Sequence, residues 1–306
     1  MSVLRDLVGW PAGPLHLALG VFDGVHVGHR ALLEQLVRGA RSEDARAIAA
    51  TFDPLPEVGL GQQHAVACAL TTIAERERLL HAAGADDVAV FTFDDAFSRQ
   101  SADAFVEGLC GAGRIRRVLV GQGFRFGFGR EGDEARLEAE GRARGFEVGI
   151  LDPVTVDGAI VSSTRIRDAL RAGDLAAAGR LLGREYSADG TVARGEQRGR
   201  GLGYPTINVE TPAEKILPRD GIYACWVEVG GARHAAATSL GVRPTFGPGP
   251  RTFECHLLDF TGDLYGAQVR VTFVRRLRDE QRFPTPAALS AQIARDVEET
   301  RATLRR

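Results

Sequence analysis

The sequence predicts an α/β domain with a parallel sheet, followed by a small antiparallel β-barrel and a C-terminal helix. Three observations predict this. Residues 15–38, LHLALGVFDGVHVGHRALLEQLVR, pass from a short apolar run through a glycine-rich turn into apolar residues at helical spacing. Apolar runs and helical patterns then alternate as far as Gly183, the signature of parallel strands joined by helices. Beyond Gly183 the helical period fades, and short apolar runs are separated by Gly/Pro turns.

Bulk properties narrow the function. A length of 306 residues suggests about two domains, and 44% apolar with 25% charged residues gives each a core. A net charge of −2 argues against a nucleic-acid backbone as ligand. Lys215 is the one lysine, so no G-x-x-x-x-G-K-[ST] loop exists. Phosphate chemistry must rest on arginine, histidine, backbone amides and metal. Cys68, Cys110, Cys225 and Cys255 are widely spaced, which predicts reduced thiols. No run approaches 18 apolar residues, so a soluble cytoplasmic protein with no membrane partner is expected.

In chain order, Leu15–Phe22 reads as a buried strand and the helix begins near Arg30, with Leu32, Leu33, Leu36 and Val37 on one face. The turn between them, Asp23 to His29, combines free backbone N–H groups, a helix dipole and two histidines, His26 and His29, with Gly28 allowing close approach. That is an anion site. Residues 45–52 and 86–94 read as strands; residues 71–83, and those following Ser101, read as helices. Residues 114–133 end a strand in a loop of five glycines and three phenylalanines, mobile and suited to a planar ligand. Its spacing from Gly121 is one residue too long for a dinucleotide fingerprint. Residues 135–144 follow as a helix and 146–151 as a strand. Then Ser162, Ser163 and Thr164 open a helical pattern with Arg165 and Arg167, a second phosphate cradle.

The domain boundary is expected at 183/184. Past it, Gly199, Gly201 and Gly203 form a flexible stretch able to follow phosphates. Thr206 and Asn208, two apart on a strand, offer a same-side oxygen pair for Mg²⁺. Glu254 falls in the apolar run TFECHLLDF, where alternation points either Glu254, His256 and Leu258 or their complement inward. A carboxylate there reads as a general base or as half of an ion pair. Residues 286–305 form the last helix.

GVFDGVHVGH closely resembles the H-x-G-H loop of the α/β nucleotidyltransferases, in particular the FMN adenylyltransferase half of the bacterial bifunctional riboflavin kinase/FAD synthetases. VGQGFRFG and SSTRIR resemble further motifs of that half; GLGYPTIN, DGIYA, LGVRPTF, ECHLLDF and GDLYG resemble the riboflavin kinase module in its usual order. The resemblance implies a Rossmann-like nucleotidyltransferase domain over 1–183 and a riboflavin kinase domain over 184–306. It implies that Mg²⁺-ATP phosphorylates riboflavin to FMN, and that FMN is adenylylated to FAD with release of pyrophosphate.

Carried onto this chain, the resemblance assigns ATP in the first domain to Phe22, Asp23, Gly24, His26, Gly28, His29, Ser162, Ser163, Thr164, Arg165 and Arg167, with His26 and His29 catalytic. In the second it assigns ATP to Gly199, Gly201, Gly203, Thr206 and Asn208, the metal to Thr206 and Asn208, and the catalytic base to Glu254. Phe124, Arg125, Phe126 and Glu254 are the expected flavin contacts. The chain departs from the family pattern at Leu55, usually histidine, at Gly123, usually a side-chain amide or carboxylate, and at Ser239, often asparagine. Leu55 and Gly123 raise a second reading: an active kinase whose nucleotidyltransferase site is slow, silent or takes another flavin or phosphorylated acceptor. A third, a non-catalytic flavin binder, has no need of intact Thr206, Asn208, Glu254, His26 and His29.

Overall fold

A computed structural model describes residues 2–56, 68–194, 203–242 and 251–305. The chain divides into two compact units, Met1–Ser163 and Thr164–Arg306.

The first unit is a six-stranded parallel sheet of β1 (Ser2–Arg5), β2 (Pro14–Leu19), β3 (Arg46–Asp53), β4 (Asp87–Thr92), β5 (Arg114–Gly121) and β6 (Glu147–Leu151), in the order β1-β4-β3-β2-β5-β6. Strand β2 is central, so its residues are buried on both faces. Leu15, Leu17 and Leu19 join a core with Phe105, Val106 and Leu109. Ala18 lies in the other core, with Leu32, Leu33 and Leu36. Among the described residues, five α-helices serve this sheet: α1 (Val27–Ser42), α2 (Ile73–Ala82), α3 (Asp95–Ser98), α4 (Ala102–Ala112) and α5 (Glu134–Arg144). A hairpin of β7 (Thr155–Val156) and β8 (Ala159–Ile160) follows. From β2 the chain builds outward through β3 and β4, then returns to place β5 on the other side of β2. That reversal opens a crevice at the carboxyl ends of β2 and β5, the usual ligand position in an open α/β sheet.

Next come α6 (Ser163–Ala172) and α7 (Leu175–Leu182). The second unit's strands are β9 (Tyr186–Ala193), β10 (Ile207–Glu210), β11 (Gly221–Val229), β12 (Ala232–Gly241), β13 (Thr252–Leu257) and β14 (Gln268–Arg278), with α8 (Pro286–Leu304) packed on β11, β12 and β14. They close into an antiparallel barrel in the order β10-β13-β12-β11-β14-β9. Alternation fills the interior: Tyr223, Cys225 and Val227, then Phe253, Cys255 and Leu257, then Val269, Val271 and Phe273 are buried. None of the four cysteines is in a disulfide, and burial pushes the Cys255 thiol up to about 12. The single lysine is buried as well: Lys215 Nζ donates to the Ser187 carbonyl at 2.9 Å and sits 4.7 Å from the Tyr186 ring centre. Helix α8 is fastened by Arg278, whose Nε and Nη2 donate to the two oxygens of buried Asp296 at 2.8 and 2.6 Å. Among the described residues, no helix is long and apolar enough to cross a membrane.

The predicted architecture holds, with local differences. Helix α1 begins at Val27, not Arg30, because the His26 side chain caps it. Strand β2 stops at Leu19, and Phe22 belongs to the turn with φ +52°. The helical pattern of 163–182 is two helices, since Gly173 turns at φ +79° and Asp174 caps α7. The edge strand β1 and the β7–β8 hairpin are too short to show a period.

Candidate active site

The turn after β2 holds the first constellation. His26 is the N-cap of α1, and its Nδ1 accepts the N–H of His29 at 3.3 Å. Nδ1 of His26 therefore carries no proton. The two imidazoles stack with ring centres 3.6 Å apart and planes 14° from parallel. Gly28 permits this: a Cβ there would come within 3.2 Å of the His26 ring. Phe22, wholly buried, meets His29 edge-on at 5.2 Å. His29 Nδ1 is buried without a hydrogen-bond partner among the described residues. Burial, then the neighbouring His26 and then Arg76 hold the His29 pKa well below its ordinary value, so the ring is neutral near pH 7.

A buried network fixes the turn. Asp23 accepts from Leu70 N at 3.1 Å, Thr71 N at 3.0 Å and the Thr71 hydroxyl at 3.2 Å. Thr71 Oγ1 in turn accepts from Gly24 N at 3.1 Å. Arg76 donates to Thr51 Oγ1 at 3.1 Å and to the Phe52 carbonyl at 2.8 Å, and Thr51 donates to the Val21 carbonyl at 2.7 Å. Ser163 Oγ donates to the Asp23 carbonyl at 2.9 Å. With Asp23 at 1% exposure, its carboxylate faces this network; its bearing on a ligand is through the turn it holds. Thr51, Thr71 and Arg76 escaped sequence reasoning. The available signal was Arg76 itself, an arginine on the buried side of a predicted helix.

Ser162 is half-buried, just ahead of α6. Thr164, Arg165 and Arg167 follow on α6, in the second unit, with Arg167 buried and Thr164 exposed.

The loop after β5 lines a cavity of about 880 Å³ with Phe124, Arg125 and Phe126, together with Phe52, Phe93 and Phe97. This volume suits a drug-sized or cofactor-sized ligand. Phe124 and Phe126 stack at 5.7 Å. The loop, expected to be mobile, is tied down: Phe126 bridges Gly132, and Phe128 N donates to the Gln100 carbonyl at 2.7 Å. Gly127, at φ +75°, lies so close to α4 that a Cβ would meet Ala102 N at 2.7 Å. Leu55 is buried, and Gly123 is exposed with φ +84°.

The second constellation lies on the outside of the barrel. Phe253, Cys255 and Leu257 take the interior, so Glu254 and His256 face out. This settles the alternation and removes the puzzle of a carboxylate in an apolar strand. Glu254 pairs directly with Asn208 on one side and Ser239 on the other, which sets the three in a row across β10, β13 and β12. Thr206 is two residues from Asn208 and half-buried. His256 Nδ1 bonds the Pro205 carbonyl at 2.8 Å, and its ring meets Tyr204 edge-on at 5.4 Å. Gly203 turns at φ +83°; Gly199 and Gly201 lie outside the described residues.

Two family models match the chain: FAD synthetase over residues 12–165 and riboflavin kinase over residues 182–304. The bifunctional riboflavin kinase/FMN adenylyltransferase of Escherichia coli K12 is 38% identical, covering 97% of this chain and 96% of its own. That of Listeria monocytogenes is 34% identical over 94% and 91%. A crystal structure described as a macrolide-efflux protein from Streptococcus pneumoniae superposes with a TM-score of 0.87 at 30% identity, over 98% of both chains. With both halves matched in order and near full-length coverage, the chain belongs to the bifunctional riboflavin kinase/FMN adenylyltransferase family.

Proposed function

We infer that this chain converts riboflavin to FMN and FMN to FAD, spending one ATP at each step. The observation that carries the second step is the stacked His26–His29 pair at the N-terminus of α1.

In the first step the riboflavin 5′-hydroxyl attacks the γ-phosphorus of ATP and Glu254 accepts the hydroxyl proton. Asn208, paired with Glu254, and Thr206, just ahead of β10, offer hard oxygens, a donor set that fits Mg²⁺. Bound there, Mg²⁺ would neutralise phosphate charge. Gly199, Gly201 and Gly203 would follow the phosphates with backbone amides.

In the second step an FMN phosphate oxygen attacks the α-phosphorus of ATP, and pyrophosphate leaves. Stacked 3.6 Å apart, the two imidazoles do not both carry charge in the free protein. The triphosphate supplies the negative charge that makes protonation favourable, and the pair then stabilises the transition state. Gly28 and the N–H groups at the start of α1 cradle phosphate oxygens; Phe22, Asp23 and Gly24, whose N–H is held by Thr71, support that cradle from behind. Ser162, Ser163, Thr164, Arg165 and Arg167 hold the β- and γ-phosphates. Phe124, Arg125 and Phe126 hold the flavin. The boundary between the two activities is placed at 183/184, after α7. ATP as substrate and free thiols both suit the cytoplasm.

A slow, silent or altered nucleotidyltransferase is not favoured: the relatives carry both activities in their names. The test is direct. Purified protein with riboflavin, Mg²⁺ and excess ATP should yield FMN and then FAD on chromatography; FMN that never becomes FAD would overturn the second assignment.

A further inference from the structure

The aromatic loop after β5 is gripped by two neighbouring carboxylates at the start of α5. Asp133, the N-cap, accepts Arg136 N at 3.0 Å, and its other oxygen lies 3.5 Å from the Arg125 guanidinium. Glu134, the first residue of α5, accepts the backbone N–H of Gly123. The two contacts fall at positions 123 and 125, on either side of Phe124. Phe124 is the loop residue that stacks on Phe126 at the wall of the cavity. Gly123 is otherwise open: a Cβ there would meet nothing within 4 Å, and at φ +84° most side chains are disfavoured.

We propose that Glu134 is a positioning residue for the flavin substrate. Its carboxylate holds the loop at Gly123 from outside, doing from α5 what a polar side chain at position 123 would do from within the loop. A carboxylate accepting a backbone N–H makes one of the stronger hydrogen bonds available, and at the first position of a helix the carboxylate is favoured by the dipole. With the grip in place, Phe124 is ordered before the flavin arrives. Without it, ordering the loop is charged to flavin binding, and affinity falls. Glu134 touches no reacting atom, so the rate of adenylyl transfer from the filled site is unaffected. This rests on the reading that the cavity takes FMN.

The experiment measures FMN KM and kcat for adenylyl transfer, and FMN Kd by quenching of flavin fluorescence, in the full-length protein. The variants are Glu134→Ala, Glu134→Gln, Gly123→Asp and the double variant Glu134→Ala with Gly123→Asp. Glu134→Ala should raise KM and Kd roughly five- to twentyfold with kcat within about twofold. Glu134→Gln keeps an oxygen acceptor and should stay within about threefold of the parent. Gly123→Asp sets a second carboxylate against Glu134 and should weaken FMN; in the Glu134→Ala background the same change should restore it. An unchanged KM in Glu134→Ala, a loss confined to kcat, a Gln variant as poor as Ala, or additive defects in the double variant would each overturn the proposal. Kinase turnover, measured in parallel, reports folding. Failure of the parent protein to bind FMN or form FAD would instead overturn the reading of the cavity, and the proposal with it.

Discussion

The turn at 20–29 and the outer face of the barrel both handle ATP in this reading, yet they are built in opposite ways. In the turn, nearly every group that shapes the site is buried and bonded into the first unit's core: Asp23, Thr51, Thr71 and Arg76 are at most 3% exposed. On the barrel, the interior carries the packing, and Asn208, Glu254 and Ser239 stand in a row on the other side of the strands. Stability and chemistry are therefore fused in the first site and separable in the second. Substitutions that leave the fold intact on the barrel should disturb it in the turn.

The sharpest test of that contrast is Glu254→Gln. It should lower riboflavin kinase kcat by about 10²–10⁴-fold while the unfolding free energy stays within about 0.5 kcal/mol of the parent. A comparable loss of stability would remove the distinction. His29→Ala should abolish FAD formation, by about 10²–10³-fold, while FMN formation continues; equal loss of both would sink the division of labour. Arg76→Met leaves Asp23 without its nearby buried cation and should cost about 3–5 kcal/mol of stability together with FAD synthesis, seen as a lowered urea midpoint.

A smaller effect follows from His29. Its native pKa lies below the ordinary 6.5, so in the unfolded chain the ring takes up a proton below that pH while the folded one does not. Folding stability then falls as pH drops below about 6.5, by at most about 1.4 kcal/mol per pH unit. Urea midpoints at pH 7.5 and 5.5 should differ more for the parent than for His29→Asn. Least of all, His256→Ala should raise the KM for ATP several-fold by releasing the Pro205 carbonyl ahead of Thr206. His256→Asn, whose amide can donate from the Nδ1 position, should recover most of it.

How much of this was legible in the sequence follows the same contrast. On the barrel, alternation along a strand fixes which residues share a face, and Glu254 and His256 follow it, whereas Thr206 precedes β10, which begins at Ile207. Only the choice between inside and outside stayed open at Glu254, and the burial of Phe253, Cys255 and Leu257 decided it. In the turn, His26, Gly28 and His29 were visible by spacing, but what holds them was not. Thr51 lies within a strand, Thr71 precedes a helix and Arg76 lies within one, and no local pattern links them to Asp23. Gly28 was expected to admit a ligand; in the structure its missing side chain makes room for the His26 ring. The departures at Leu55 and Gly123 looked alike in sequence. One is buried, whereas the other lends its amide to Glu134, eleven residues along the chain.

Lys215 gives the molecule an unusual handle. Because the chain's one lysine lies under the Tyr186 ring with its ammonium on the Ser187 carbonyl, the folded barrel offers no side-chain amine to an acylating reagent or a lysine-specific protease. A single cut after residue 215 would then mark each molecule whose barrel has opened. Digestion timed against riboflavin and ATP would follow the opening of one unit inside the intact chain, with no label added.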